Sequence, residues 1–145
     1  MAFEVAPLPY DYAALEPTID ATTMKLHHDK HHQTYVDNLN KAVDGDASLQ
    51  GKSLEELVAM AGAAPKVVRN NGGGHWNHNF FWETMTPGGS TPSGELANAI
   101  DSTFGGLDAL KEKFNAAGAG QFGSGWVWLV AVPGQGLVVT STPNQ

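Results

Sequence analysis

The sequence predicts an α+β chain. An antiparallel helical hairpin domain at residues 1–87 precedes an α/β domain at residues 93–145, whose small antiparallel sheet is incomplete at its C-terminal end. Three observations predict this. Residues 20–43 contain neither Gly nor Pro and repeat apolar and imidazole side chains at three- and four-residue intervals (Met24, His27, His31, Tyr35, Val36, Leu39). The run Thr86-Pro-Gly-Gly-Ser-Thr-Pro-Ser-Gly94 is a plain linker. Beyond it, Trp126-Val-Trp-Leu-Val-Ala-Val132 and Leu137-Val-Val-Thr-Ser141 flank Pro133-Gly-Gln-Gly136, the pattern of a hairpin.

Each element follows from its residues. Met1 to Thr18 carry Pro7, Pro9 and Pro17 and are expected to form an extended arm, because proline and the residue before it resist helix. Asp20 is placed to cap the first helix and Gly45 to end it. Ser53-Leu-Glu-Glu56 is a capping-box pattern opening a short helix with Leu54, Leu57, Val58 and Ala61 inward, closed by Pro65. A third helix is expected from Lys66 to Thr84. Gly72-Gly73-Gly74 inside it cost about 1 kcal/mol each in helix propensity, so this backbone is expected to lie close to another helix or to a site. Two more helices, near 95–104 and 107–117, precede the hairpin. A two-stranded hairpin alone is marginal in water and leaves open edges, so the chain is expected to be an N-terminal fragment of a longer protein.

Composition removes several classes of function. The chain has 145 residues, 8 basic and 15 acidic, a net charge of −7, and no basic stripe, which argues against a nucleic-acid partner. With no cysteine, disulfides, thiolate metal sites and Cys nucleophiles are excluded, so any metal is held by nitrogen and oxygen. The first twenty residues lack a basic start followed by an apolar run. Neither signal peptide nor membrane span is expected, and the setting is taken to be cytoplasmic.

The six histidines fall in two clusters, His27, His28, His31 and His32 in the first helix and His75 and His78 in the third. On a helix His27, His31 and Tyr35 share a face, with His28 and His32 in a second row rotated by about 100°. One row is expected to line a site while the other meets solvent. One histidine from each cluster then ligates a metal between the two helices, as bundle cores do; spacing alone leaves hydrogen-bonded structural histidines as an equal alternative. In His27-His28-Asp29-Lys30-His31, His28 stands where the glutamate of a zincin helix belongs, and no Glu-x-x-His pair of a di-iron bundle is present. A mononuclear imidazole and carboxylate site suits manganese or iron. Phe80 and Phe81 are expected to pack, Trp82 to be core, and Glu83 to be solvated.

The sequence resembles the iron/manganese superoxide dismutases. The resemblance is carried in order by Leu8-Pro-Tyr-Asp-Tyr-Ala-Ala-Leu-Glu-Pro17, Leu26-His-His-Asp-Lys-His-His-Gln-Thr-Tyr-Val36, Asn70-Asn-Gly-Gly-Gly-His-Trp-Asn-His-Asn-Phe-Phe-Trp82, Gly120-Gln-Phe-Gly-Ser-Gly-Trp-Val-Trp-Leu129 and Thr142-Pro-Asn-Gln145. It implies disproportionation of superoxide to dioxygen and hydrogen peroxide by a redox-cycling metal, with His27 and His78 as ligands. His31 and Tyr35 match the pair at the mouth of the substrate channel, and Gln145 the glutamine that hydrogen-bonds the metal's solvent ligand. In the iron type that glutamine comes from the position of Gly74. Gly74 with Gln145 therefore resembles the manganese arrangement, with iron as the alternative metal. Trp126 matches a site-lining position and Ser124 one near the dimer interface, so a homodimer or homotetramer is implied. The family's remaining aspartate and histidine ligands lie in an Asp-x-Trp-Glu-His motif expected beyond residue 145, and with two of four ligands this chain alone is expected to bind metal weakly.

Overall fold

The computed structural model describes residues 2–60 and 62–145. It has an N-terminal helical hairpin unit ending at Gly89 and a C-terminal α/β unit beginning at Ser90, as the α+β prediction requires.

In the first unit, α1 (Ala21–Lys25), a π-helical stretch (Leu26–His32) and α2 (Gln33–Asp44) follow without interruption, since Lys25, Leu26, His32 and Gln33 all keep right-handed helical torsions. Asp20 caps the start by accepting from the Thr23 amide at 2.9 Å, which satisfies one of the first-turn N–H groups. The widened turns were not expected. They hold all four histidines of the first cluster, and such stretches concentrate at functional sites.

α3 (Leu54–Ala59) opens on the expected capping box. The Glu56 amide donates to Ser53 Oγ at 3.2 Å and the Ser53 amide to Glu56 Oε2 at 2.7 Å. Ser53→Ala should therefore cost about 1 kcal/mol, seen as a drop of a few degrees in Tm with unchanged helix content at low temperature. The helix stops at Ala59, not at Pro65. Pro65 instead stands at the entry of α4 (Lys66–Thr84), where a residue without an N–H leaves no helical donor unpaired. Ala61, expected to face inward, lies outside the described residues. The core is Leu39, Val43, Leu49, Leu54, Leu57 and Val68, with Phe3 and Trp76 against it. At about 1.5–3 kcal/mol for each fully buried aliphatic side chain, this cluster fixes α2 and α3 on α4.

In the second unit α5 (Gly94–Phe104) and α6 (Leu107–Gly120) bury Ile100 and Leu110. Gly105, at φ 85°, ends α5 in the left-handed conformation that suits glycine. β1 (Gly125–Val132) and β2 (Gly136–Pro143) pair antiparallel from Gly125 opposite Pro143 to Val132 opposite Gly136. Ser124 Oγ donates to Asn144 Oδ1 at 3.0 Å and the Asn144 amide to the Ser124 carbonyl at 2.8 Å, closing the open end. No helix among the described residues is long and apolar enough to cross a membrane.

Candidate metal centre

The arm is not extended as far as Thr18, the expected limit: residues 11–19 fold into successive turns, with the Ala14 amide donating to the Asp11 carbonyl at 2.9 Å and the Ile19 amide to the Leu15 carbonyl at 3.1 Å. The arm is fastened to the two long helices at intervals. The Phe3 amide donates to Asn40 Oδ1 and Asn40 Nδ2 to the Phe3 carbonyl, at 2.8 and 2.9 Å. His28 Nε2 lies 2.9 Å from the Ala6 carbonyl and its Nδ1 2.7 Å from Asp29 Oδ1. The Tyr12 hydroxyl also reaches Asp29, at 2.6 Å; that bond, then His28, holds the Asp29 carboxyl below its usual range. Tyr10 donates to the Trp82 carbonyl at 2.9 Å.

Between the helices the rings of His27, His31, His32, Tyr35 and Trp82 crowd round His78, which is 2% exposed. The row of His28 and His32 is the buried one, and the row of His27 and His31 is the one nearer solvent. His28 and His32 are buried with Met24, Val36 and Leu39, while His31 is exposed and His27 half-buried. The reason is readable in hindsight, since Met24, His28, His32 and Val36 form an i, i+4 row that joins two apolar residues. Phe80 also departs from expectation: it is 45% exposed and stacks on Trp76 with centroids 5.5 Å apart. Trp82 is core, as expected, but its indole also donates to His32 Nδ1 at 3.1 Å. The His32–His75 contact, Nε2 to Nδ1 at 2.8 Å, was missed, because no spacing rule pairs residues 43 apart.

His27 Nε2 lies 3.0 Å from His78 Nε2, and ligating atoms of His27, His31 and His78 fall within 4.8 Å of one another. The Gly74 carbonyl, 2.6 Å from His78 Nδ1, can only accept. It fixes the His78 proton on Nδ1 and leaves the Nε2 lone pair aimed at His27. Burial, then the neighbouring His27, brings His78 down to about 4 against the buffering bond from Gly74. Burial, then His31, lowers His27, and burial lowers His32 to about 3. The rings are thus neutral near pH 7, which is the ligating form of imidazole.

These features fit a metal. Two imidazole nitrogens about 2.1 Å from one first-row ion, roughly at right angles, stand about 3 Å apart, and an imidazole face without thiolate suits a first-row ion such as iron, with manganese calling for added oxygen ligands. Tyr35 packs against Gly74 so closely that a Cβ there would sit 2.5 Å from Tyr35 Cδ1. The close approach expected of the glycine run is met at this residue. Gly74→Ala gains about 1 kcal/mol of helix propensity but overpacks against a ring, at about 1–3 kcal/mol. Net destabilisation in chemical denaturation is expected, and a variant as stable as wild type would show that Tyr35 yields freely.

In the second unit, Trp126 Nε1 donates to Gln145 Oε1 at 2.9 Å, so the sequence-predicted Gln145 has its carboxamide oriented by the indole.

The family model of the iron/manganese superoxide dismutase α-hairpin domain matches residues 2–86, and that of the C-terminal domain of the same enzymes matches residues 92–145. The chain belongs to the iron/manganese superoxide dismutase family. A relative from Raoultella planticola named as an iron superoxide dismutase is 56% identical over all of this chain and 87% of its own length. One from Leptolyngbya boryana named as a manganese enzyme is 55% identical, over 96% of this chain and 58% of its own. Another manganese-named relative, from Listeria innocua, is 53% identical over all of this chain and 74% of its own. Family and relatives together support superoxide dismutase function.

Proposed function

We propose that His27 and His78 are two of the ligands of the metal with which this superoxide dismutase works, and that His31, Tyr35 and Gln145 serve the proton side of the reaction. The 3.0 Å approach of His27 Nε2 to His78 Nε2 carries this reading. A manganese or iron ion held there would supply a one-electron couple between its +3 and +2 states, the redox chemistry that disproportionation needs.

Disproportionation of two superoxide anions consumes two protons for each hydrogen peroxide released, so the site must deliver protons as well as electrons. His31, exposed beside His27 with ring centroids 5.3 Å apart, and Tyr35, 5.0 Å from His31, stand where a proton from solvent passes inward. The imidazole takes and yields it at a ring nitrogen and the phenol at Oη. Gln145, whose Oε1 accepts from Trp126, is given its part in the transfer by resemblance to the family. Buried, neutral His32 and Trp82 on the inner side keep bulk water from the paired nitrogens.

Manganese is the metal we infer. The support is Gly74, since a glutamine at that position, the iron-type arrangement, would drive its Cβ into the Tyr35 ring. A cytoplasmic homodimer or homotetramer completes the reading by resemblance to the family, and sedimentation of the purified protein tests the assembly. Elemental analysis with a superoxide-consumption assay, on this chain and on the longest reading frame that contains it, tests the function. Manganese near one per subunit with dismutation is the expected result for the full-length polypeptide. A metal-free, inert protein, or activity restored by zinc, would overturn it.

A further inference from the structure

On α4, His75, His78 and Trp82 lie at i, i+3 and i+7 and share one face. His32 reaches across from the π-helical stretch and touches both outer members of that set. The direction of these bonds is fixed by chemistry. An indole N–H only donates, so His32 Nδ1 must be the acceptor of the 3.1 Å bond from Trp82. His32 then carries its proton on Nε2 and donates it to His75 Nδ1 at 2.8 Å, which leaves the His75 proton on Nε2. The ring so held is 0% exposed and stacks on His78, centroids 5.3 Å apart and planes 26° from parallel. Trp82 at the same time meets His27 edge-on at 4.9 Å.

We infer that Trp82, His32 and His75 form a one-directional hydrogen-bonded staple between the two long helices, and that its role is to position His78 and His27 for the metal. The three are positioning residues that touch neither metal nor substrate. The inference rests on the assignment of His27 and His78 as ligands. It adds that the ligand face is rigid before any metal arrives, because each bond in the staple has only one allowed polarity. Groups that set the orientation of ligating imidazoles typically change metal affinity by 10–100-fold when lost.

The test uses the full-length polypeptide. Long-range proton–nitrogen NMR of the metal-free protein should show His32 with its proton on Nε2, and Trp82→Phe, which keeps a ring but loses the donor, should abolish that fixed pattern. Trp82→Phe should also release manganese to a chelator about 10–100 times faster than wild type. Should Trp82→Phe fail to fold, the His75 pair decides: His75→Asn, whose Oδ1 stands in for Nδ1 as acceptor, should keep the slow release and His75→Leu lose it. A purely structural role would lower Tm in both without separating them. Wild-type His32 with its proton on Nδ1, or equal release from the Asn and Leu variants, overturns the staple. Manganese retained by His78→Ala overturns instead the ligand assignment beneath it.

Discussion

His27→Ala or His78→Ala in the full-length polypeptide should reduce bound manganese from near one per subunit to near zero and take superoxide consumption to background. The two substitutions differ in their side effects. His78 is 2% exposed and bonds the Gly74 carbonyl, so its loss leaves a cavity and should lower stability by roughly 2–5 kcal/mol as well. His27 is half-buried, so its alanine variant should stay folded and separates loss of metal from loss of structure. His31→Ala provides the contrast, keeping the metal while slowing turnover. Normal turnover in a His27→Ala, His78→Ala double variant would sink the assignment.

Mild acid should weaken the metal-free fold steeply. His78 titrates near 4 and His32 near 3 in the native state, below the ordinary 6.5, so the native rings stay neutral. The unfolded rings take up protons as pH falls through 6.5. The unfolded state then binds more protons, and stability declines with falling pH by about 1.4 kcal/mol per unit for each ring. His27 and His75, both lowered by burial, act in the same direction. Asp20, Asp29 and Asp46, held below 3.8, lose their contribution only as pH falls through their native values, so the span from pH 6.5 to 5 isolates the histidines. Urea unfolding at a series of pH values in the presence of chelator checks this. A flat profile would mean that the rings are charged in the native state.

Much of this was legible in the residues. Lys66–Thr84 came out with the predicted bounds, because Pro65 and the Pro-Gly linker after Met85 mark its two ends, and the Ser53–Glu56 box formed because its bonds are local. The paired clusters placed His27 and His78 together for the same reason a bundle core places any inward residues together. Which row turned inward was a tertiary choice. Spacing says that His28 and His32 share a face, but only packing of α2, with Val36 and Leu39, against α4 decides that the face is buried. The π-helical stretch left no signal either, since its residues are ordinary helix formers and its wide turns come from the contacts they make.

The fastening of the arm has a practical side. Phe3, Ala6, Tyr10 and Tyr12 are each tied to Asn40, His28, Trp82 or Asp29, so a fluorophore or epitope grafted between residues 3 and 12 would disturb neighbours of the ligands. The exposed hairpin tip at Gly134 and Gln135 makes no such ties among the described residues, and is the site to choose for a label or a surface tether.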